Sequence, residues 1–215
     1  MLYEQRVAGH HVAGWKVGLT SEASRQKLGA DERPFGFVLD HRSFDSGTTI
    51  DSSQVTSMSI ETEMCFTIGR TVDDPDVTPD AVLDYVSGVS AGFELTESRP
   101  GSVRPDFFAF VADGLMNWGI VAGDPVPPAD AATLSDTAIT MERNGEQVFA
   151  GISHEHVDDH TISLCRLVEQ LDRHGQRLQA GERVITGAFA RFPAAPGEHW
   201  RATYEGIGTV EIDIV

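Results

Sequence analysis

An α+β fold built around a curled or sandwiched sheet is the architecture this chain predicts. Three observations carry that expectation. Runs of alternating, strand-like residues recur from position 34 to the C-terminus, glycine- or asparagine-containing turns separate several of them, and helical signals are few and interspersed. No repeat, low-complexity segment or long linker breaks the 215 residues, so a single domain over 1–215 is expected. An apolar content of 40% is enough for one good-sized core.

Taken in order, Thr20-Ser21-Glu22 opens a short helix with a hydroxyl cap, and Leu28-Gly29 closes it. The stretch PFGFVLD (34–40) reads as a turn feeding a strand, and Ile60 to Gly69 as a longer strand. Thr78-Pro79-Asp80 combines a hydroxyl N-cap, proline in the first turn and an acid, predicting a helix that runs through Val82, Val86 and Val89. GFELTESR (92–99) alternates as a strand. Thr137 to Gly151 is a hairpin turning on Asn144-Gly145. His160 to His174 carries a helical stripe of Leu164, Leu167, Val168 and Leu171, stopped by Gly175. GERVITGAF (181–189) and ATYEGIGTVEIDIV (202–215) add further strands.

Sixteen basic residues stand against 33 acids, a net charge of −17, and Lys16 and Lys27 are the only lysines. Such a balance argues against nucleic acid and anionic membrane surfaces as partners. No apolar run approaches the ~20 residues of a membrane span, and MLYEQRVAGHH lacks a signal-peptide stretch. Cys65 and Cys165 lie within apolar patterns and read as core residues, so a reducing cytoplasm is expected.

The chemistry concentrates in IETEMCFTIGR (60–70). On a strand, Glu61, Glu63 and Cys65 share one face while Ile60, Thr62, Met64, Phe66 and Ile68 share the other, core-facing one. Two carboxylates roughly 6–7 Å apart repel if desolvated, unless a cation or a proton comes between them. The plain alternative is a face turned to water. Glu94 tips the balance, because it lies inside another strand flanked by internal-looking residues. Three strand-borne carboxylates make an all-oxygen site suited to a hard cation, Mg²⁺ or Mn²⁺, rather than zinc.

Several blocks together are similar to the 2-keto-4-pentenoate hydratase and 4-oxalocrotonate decarboxylase group of the fumarylacetoacetate hydrolase superfamily. These are GWKVGLTSEASRQKLG (14–29), PFGFVLD (34–40), IETEMCFTIGR (60–70), FELTESR (93–99), TGAF (186–189) and the closing YEGIGTVEIDIV. The resemblance implies a mixed β-roll with short packed helices, a homo-oligomer, and a divalent metal held by Glu61, Glu63 and Glu94. It implies Lys16 as an active-site residue, and Asp40 as the acid that ends the G-x-x-x-D stretch. Arg99 is open between anchoring a substrate carboxylate and neutralising Glu97 or Asp106. Asp113, Gly187 and Ala188 are the further pocket-lining expectations, the last two contributing backbone and shape. The implied substrate is a small 2-oxo or 2-hydroxydienoic acid that chelates Mg²⁺. A lysine beside the ion would carry protons for hydration or for decarboxylation. A metal or cationic neighbour would lower the pKa of that lysine and make it a better acid–base group.

The chain departs from the group at three places. It begins some fifteen residues before Lys16, where members carry a longer helical segment, so that segment is expected to be short or absent. VADGLMNWG (111–119) replaces an Asp-Asn-small-small run, and GISHEHVDDHT (151–161) replaces a region rich in small residues and proline. His154, His156 and His160 there are expected as exposed loop residues, with a second metal site as the sharper reading and His160 as a helix start. Two other functions stay open: C–C bond hydrolysis of an acylpyruvate-type acid, and a non-catalytic partner in a hydratase–decarboxylase assembly.

Overall fold

The computed structural model describes residues 9–98 and 107–215. In chain order the elements are β1 (Val12–Val17), α1 (Glu22–Leu28), β2 (Phe35–Leu39), β3 (Ser43–Asp45), β4 (Thr48–Ile50), β5 (Met58–Ile68), α2 (Pro79–Val82) and β6 (Val86–Glu97). They continue with α3 (Phe107–Ala112), β7 (Asn117–Ala122), α4 (Ala131–Ser135), β8 (Ala138–Arg143), β9 (Glu146–Ile152), α5 (His160–Arg173), β10 (Arg183–Pro193), β11 (His199–Tyr204) and β12 (Gly208–Ile214). Two mixed sheets result, one of seven strands ordered β2-β1-β10-β5-β6-β7-β3 and one of five ordered β4-β12-β11-β8-β9. This is the expected α+β architecture of strands with few short helices. Trp200, Tyr204, Phe66 and Phe93 are among its largest fully buried side chains.

Local signals place many of the boundaries. Ser21 accepts from the Ser24 backbone N–H to cap α1, and Gly29 ends it at φ 63°, where a side chain would be strained. Asn144 and Gly145, both at positive φ, form the two-residue turn between β8 and β9. Asp159 caps α5 by accepting from the N–H groups of Thr161 and Ile162.

Two expectations are corrected here. The helix beginning at Pro79 stops at Val82, a 3-10 turn follows over Leu83–Tyr85, and Val86 and Val89 belong to β6. Valines spaced to suit a helix are better satisfied by pairing: Phe66 lies opposite Val89 in the β5–β6 ladder. The histidines of 151–161 do not share a strand face either, because Ser153–Glu155 is a 3-10 turn. His154 is exposed, His156 is half-buried, and His160 is 4% exposed at the first residue of α5.

His160 sits between two hydroxyls, with Nε2 2.7 Å from Ser153 Oγ and Nδ1 2.7 Å from Thr186 Oγ1. Burial, opposed by Asp159, lowers its pKa to about 4 from an ordinary 6.5. The unfolded chain therefore takes up the proton first. The stabilising contribution is whole above pH ~6.5 and is lost as pH falls toward 4, about 3 kcal/mol in all. Urea unfolding at pH 7 and pH 4.5 should show a steep loss of stability in the native protein and a shallower one in His160→Gln.

Candidate active site

Strands β1, β5, β6, β7 and β10 and the loops beside them assemble the site. β5 lies between β10 and β6 at the centre of the larger sheet, so both of its edges are paired. Ile60, Thr62, Met64, Phe66 and Ile68 are buried as expected, and so are Glu61, Glu63 and Cys65. The reading in which the glutamates face water is thereby excluded. Glu61 lies directly opposite Glu94 in the β5–β6 ladder, and Glu63 faces Gly92. Directly paired strand residues bring their Cβ atoms to about 5 Å. One carboxylate oxygen from each of Glu61, Glu63 and Glu94 lies within 4.8 Å of the others.

Each acid has its own support. Glu94 Oε1 accepts from Asn117 Nδ2 at 2.9 Å, and Lys16 Nζ stands 2.7 Å from Glu94 Oε2. That ammonium sits off the line of a good hydrogen bond, so buried Oε2 keeps charge compensation without a well-aligned donor. Lys16, on β1, also donates to the Leu115 carbonyl at 3.2 Å. Glu63 Oε2 accepts from the Gly187 N–H at 2.7 Å. Arg191 Nε lies 3.5 Å from Glu61 Oε1.

The Gly187 contact depends on irregular pairing. The β10–β5 register slips between Ile185 and Ala188, and such a bulge turns a backbone N–H away from the ladder. Gly187 takes φ 131°, and a Cβ there would come 2.0 Å from Thr20 Oγ1. Gly187→Ala is expected to lower stability by roughly 1–3 kcal/mol, read as a drop in the thermal midpoint, because strain and collision both have to be relieved.

Three carboxylates around one ammonium make a strongly coupled cluster. Burial raises the pKa of Glu63 well above the usual range, Glu94 and Glu61 push it further, and Lys16 opposes them. Burial likewise raises Glu94 to about 7, with Lys16 pulling down and Glu61 pushing up. For Lys16, burial favours the neutral amine, but Glu94, Glu61 and Glu63 outweigh it and raise the pKa. A net-negative, all-oxygen cluster fits a hard divalent cation. The poorly satisfied Oε2 is the buried atom that such an ion would relieve.

A cavity of about 230 Å³ opens onto this cluster, lined by Lys16, Glu61 and Glu63 and by Gly187 and Ala188 of β10. Thr20 and Ser21 from the β1–α1 loop, Phe110, Leu115 and Met116, and His156 and Arg191 complete the wall. The expected Lys16, Glu61, Glu63, Glu94, Gly187 and Ala188 thus come together. Asp40 does not join them. It follows β2, which pairs antiparallel with β1: Gly36 lies opposite Lys16 and Leu39 opposite Val12. Four strand residues separate those positions, about 13 Å, and Asp40 instead contacts His10 and His11. Asp113 lies in the turn after α3, where its N–H donates to the Ala109 carbonyl, and it is not part of the cavity wall. Arg99 lies outside the described residues.

Asn117, Arg191 and His156 were not expected at the site. Asn117 follows two successive left-handed residues, Leu115 at φ 60° and Met116 at φ 64°, which local sequence does not announce. Arg191 was legible only through the register that sets it opposite Glu61.

The family model described as fumarylacetoacetate (FAA) hydrolase C-terminal matches residues 6–215. A 2-keto-4-pentenoate hydratase of Paraburkholderia xenovorans (strain LB400) is 31% identical over 207 residues, 95% of this chain and 77% of the relative. A 4-oxalocrotonate decarboxylase of Pseudomonas sp. (strain CF600) is 28% identical over 203 residues, 94% of this chain and 77% of the relative. Among solved structures, the 4-oxalocrotonate decarboxylase of Pseudomonas putida G7, complexed with magnesium and adipate, superposes with a TM-score of 0.90 at 25% identity. That match covers 100% of this chain and 82% of the decarboxylase. With the family model matched over residues 6–215 and a relative 31% identical over 95% of its length, the chain belongs to the fumarylacetoacetate hydrolase family.

Proposed function

We propose that this chain is a divalent-metal-dependent lyase, a hydratase or decarboxylase of a small 2-hydroxydienoic or 2-oxo acid, of the kind used in breaking down aromatic compounds. The observation that carries the proposal is the clustering of three buried carboxylates and one buried ammonium beside a cavity that Lys16, Glu61 and Glu63 line. Relatives with both activities, and magnesium beside adipate in a decarboxylase of the same fold, support it. Glu61, Glu63 and Glu94 would hold the ion, Mg²⁺ first and Mn²⁺ as the alternative. When bound, it supplies positive charge opposite the oxygens of a 2-oxo acid as negative charge develops on them.

The chain's own residues do the rest. Lys16 carries a proton at Nζ in the cavity wall, within reach of a substrate carbon or oxygen, and both reactions need that transfer. Arg191, half-exposed and beside Glu61, can orient a substrate carboxylate by paired hydrogen bonds. Phe110, Leu115 and Met116 supply apolar wall that limits water around the reacting atoms. The Gly187 N–H holds Glu63 in place. In this reading Ala188 contributes shape, and the enzyme works in the cytoplasm as a homo-oligomer.

The test follows the ultraviolet absorbance of a 2-hydroxydienoate and of an oxalocrotonate-type acid, with Mg²⁺ and with chelator. Metal-dependent loss of the dienol without CO₂ identifies a hydratase, and stoichiometric CO₂ from the diacid identifies a decarboxylase. Inertness toward both acids in the presence of Mg²⁺ would end the proposal.

A further inference from the structure

A second group of metal-type side chains lies at the opposite end of the β1–β2 pair, apart from the glutamates. His10 and His11 precede β1, while Asp40 and His41 follow β2, and the Asp40 N–H donates to the His11 carbonyl at 3.0 Å. Asp40 is the hub. Its Oδ1 lies 2.9 Å from His10 Nδ1 and 3.5 Å from His41 Nδ1, and its Oδ2 lies 2.9 Å from His11 Nδ1. One ligand atom from each of His10, Asp40 and His41 falls within 4.8 Å of the others. The His10 and His41 rings are 4.0 Å apart between centroids.

We propose that His10, Asp40 and His41, with His11 as a further donor, form a binding site for a borderline divalent transition-metal ion, zinc foremost. A tetrahedral ion with bonds of about 2.0–2.1 Å separates its ligands by roughly 3.3–3.4 Å. The spacings around Asp40 bracket that value, so small side-chain rotations suffice. Three imidazoles and a carboxylate suit zinc, nickel or copper, and they do not suit magnesium, which demands oxygen ligands in octahedral array. In all three histidines Nδ1 faces the carboxylate. Binding therefore takes the neutral tautomer with its proton on Nε2, which leaves the Nδ1 lone pair for the ion. Burial first, then His10 and Arg42, hold His41 below its ordinary pKa against the pull of Asp40. The two ligand pairs are 30 residues apart in sequence, so the ion would clamp the start of β1 to the end of β2.

This site does not depend on the lyase proposal, and its test is independent of activity. With the glutamates saturated by excess Mg²⁺, the full chain is titrated with Zn²⁺ by calorimetry and with Co²⁺ by its visible d–d absorption. The expected result is one ion per chain with imidazole-type Co²⁺ bands, a raised thermal midpoint, and the same affinity in Glu63→Gln. His10→Gln and His41→Gln should each weaken binding by about 10- to 100-fold, with circular dichroism confirming that both variants are folded. Asp40→Asn should abolish it. Zn²⁺ binding that survives all three substitutions unchanged, that disappears in Glu63→Gln, or that is absent from the native protein overturns the assignment.

Discussion

Replacing Glu63 by Gln is expected to move stability in opposite directions with and without metal. In chelator the native protein confines three carboxylates around a single ammonium, and burial with like charge raises the Glu63 pKa. A neutral amide of the same shape keeps an oxygen for the Gly187 N–H and removes one buried charge. Metal-free Glu63→Gln should therefore be the more stable protein, by roughly 1–2 kcal/mol. In millimolar Mg²⁺ the order reverses. An ion present at a hundredfold over its Kd adds about 2.7 kcal/mol to the native protein. Loss of a ligand should lower affinity at least about 100-fold, leave almost none of that gain, and reduce turnover by a similar factor. Thermal unfolding in chelator and in Mg²⁺ reads both effects. Equal stabilisation of both proteins by Mg²⁺ would show that Glu63 is not a ligand.

Lys16→Met separates proton transfer from metal binding. Removing the ammonium leaves Glu94 Oε2 buried beside two other acids without its counter-charge, which should cost the metal-free protein about 3–5 kcal/mol. Mg²⁺ should restore much of that loss and shift the thermal midpoint more than it does in the native protein, because the competing cation is gone. Turnover should nevertheless fall by about 10²- to 10⁴-fold, since no group at that place carries the proton. A variant that binds Mg²⁺ and turns over within tenfold of the native protein would transfer the proton role to another residue of the cavity wall, His156 first.

Strand alternation alone placed Glu61 and Glu63 on one face, and the core set Ile60 to Ile68 on the other. Alternation says nothing about whether the second face meets water. That face is covered by side chains from distant stretches of chain, with Lys16 of β1 and Phe110, Leu115 and Met116 beside it. The caps of α1 and α5 and the Asn144-Gly145 turn were legible because each depends on a few adjacent residues. Asp40 was misplaced for the opposite reason. An acid at the end of a motif carries no information on which end of the strand pair the cavity occupies, and antiparallel pairing sent it to the far one. Val86 and Val89 fit a helix by spacing, yet the long ladder with β5 claimed them.

What the amino-acid order determined by itself was the inventory: strand-borne glutamates at alternating positions, a lone lysine in their company, turn residues and helix caps. These follow from backbone sterics and short-range hydrogen bonding, which act within a few residues. Only the tertiary structure decided that the three carboxylates and the ammonium form one buried cluster, that Asn117, Gly187 and Arg191 contact them, and that Asp40 keeps company with histidines. Burial and Coulomb interaction depend on distances between segments far apart in the chain, and those distances exist only once the sheet has formed.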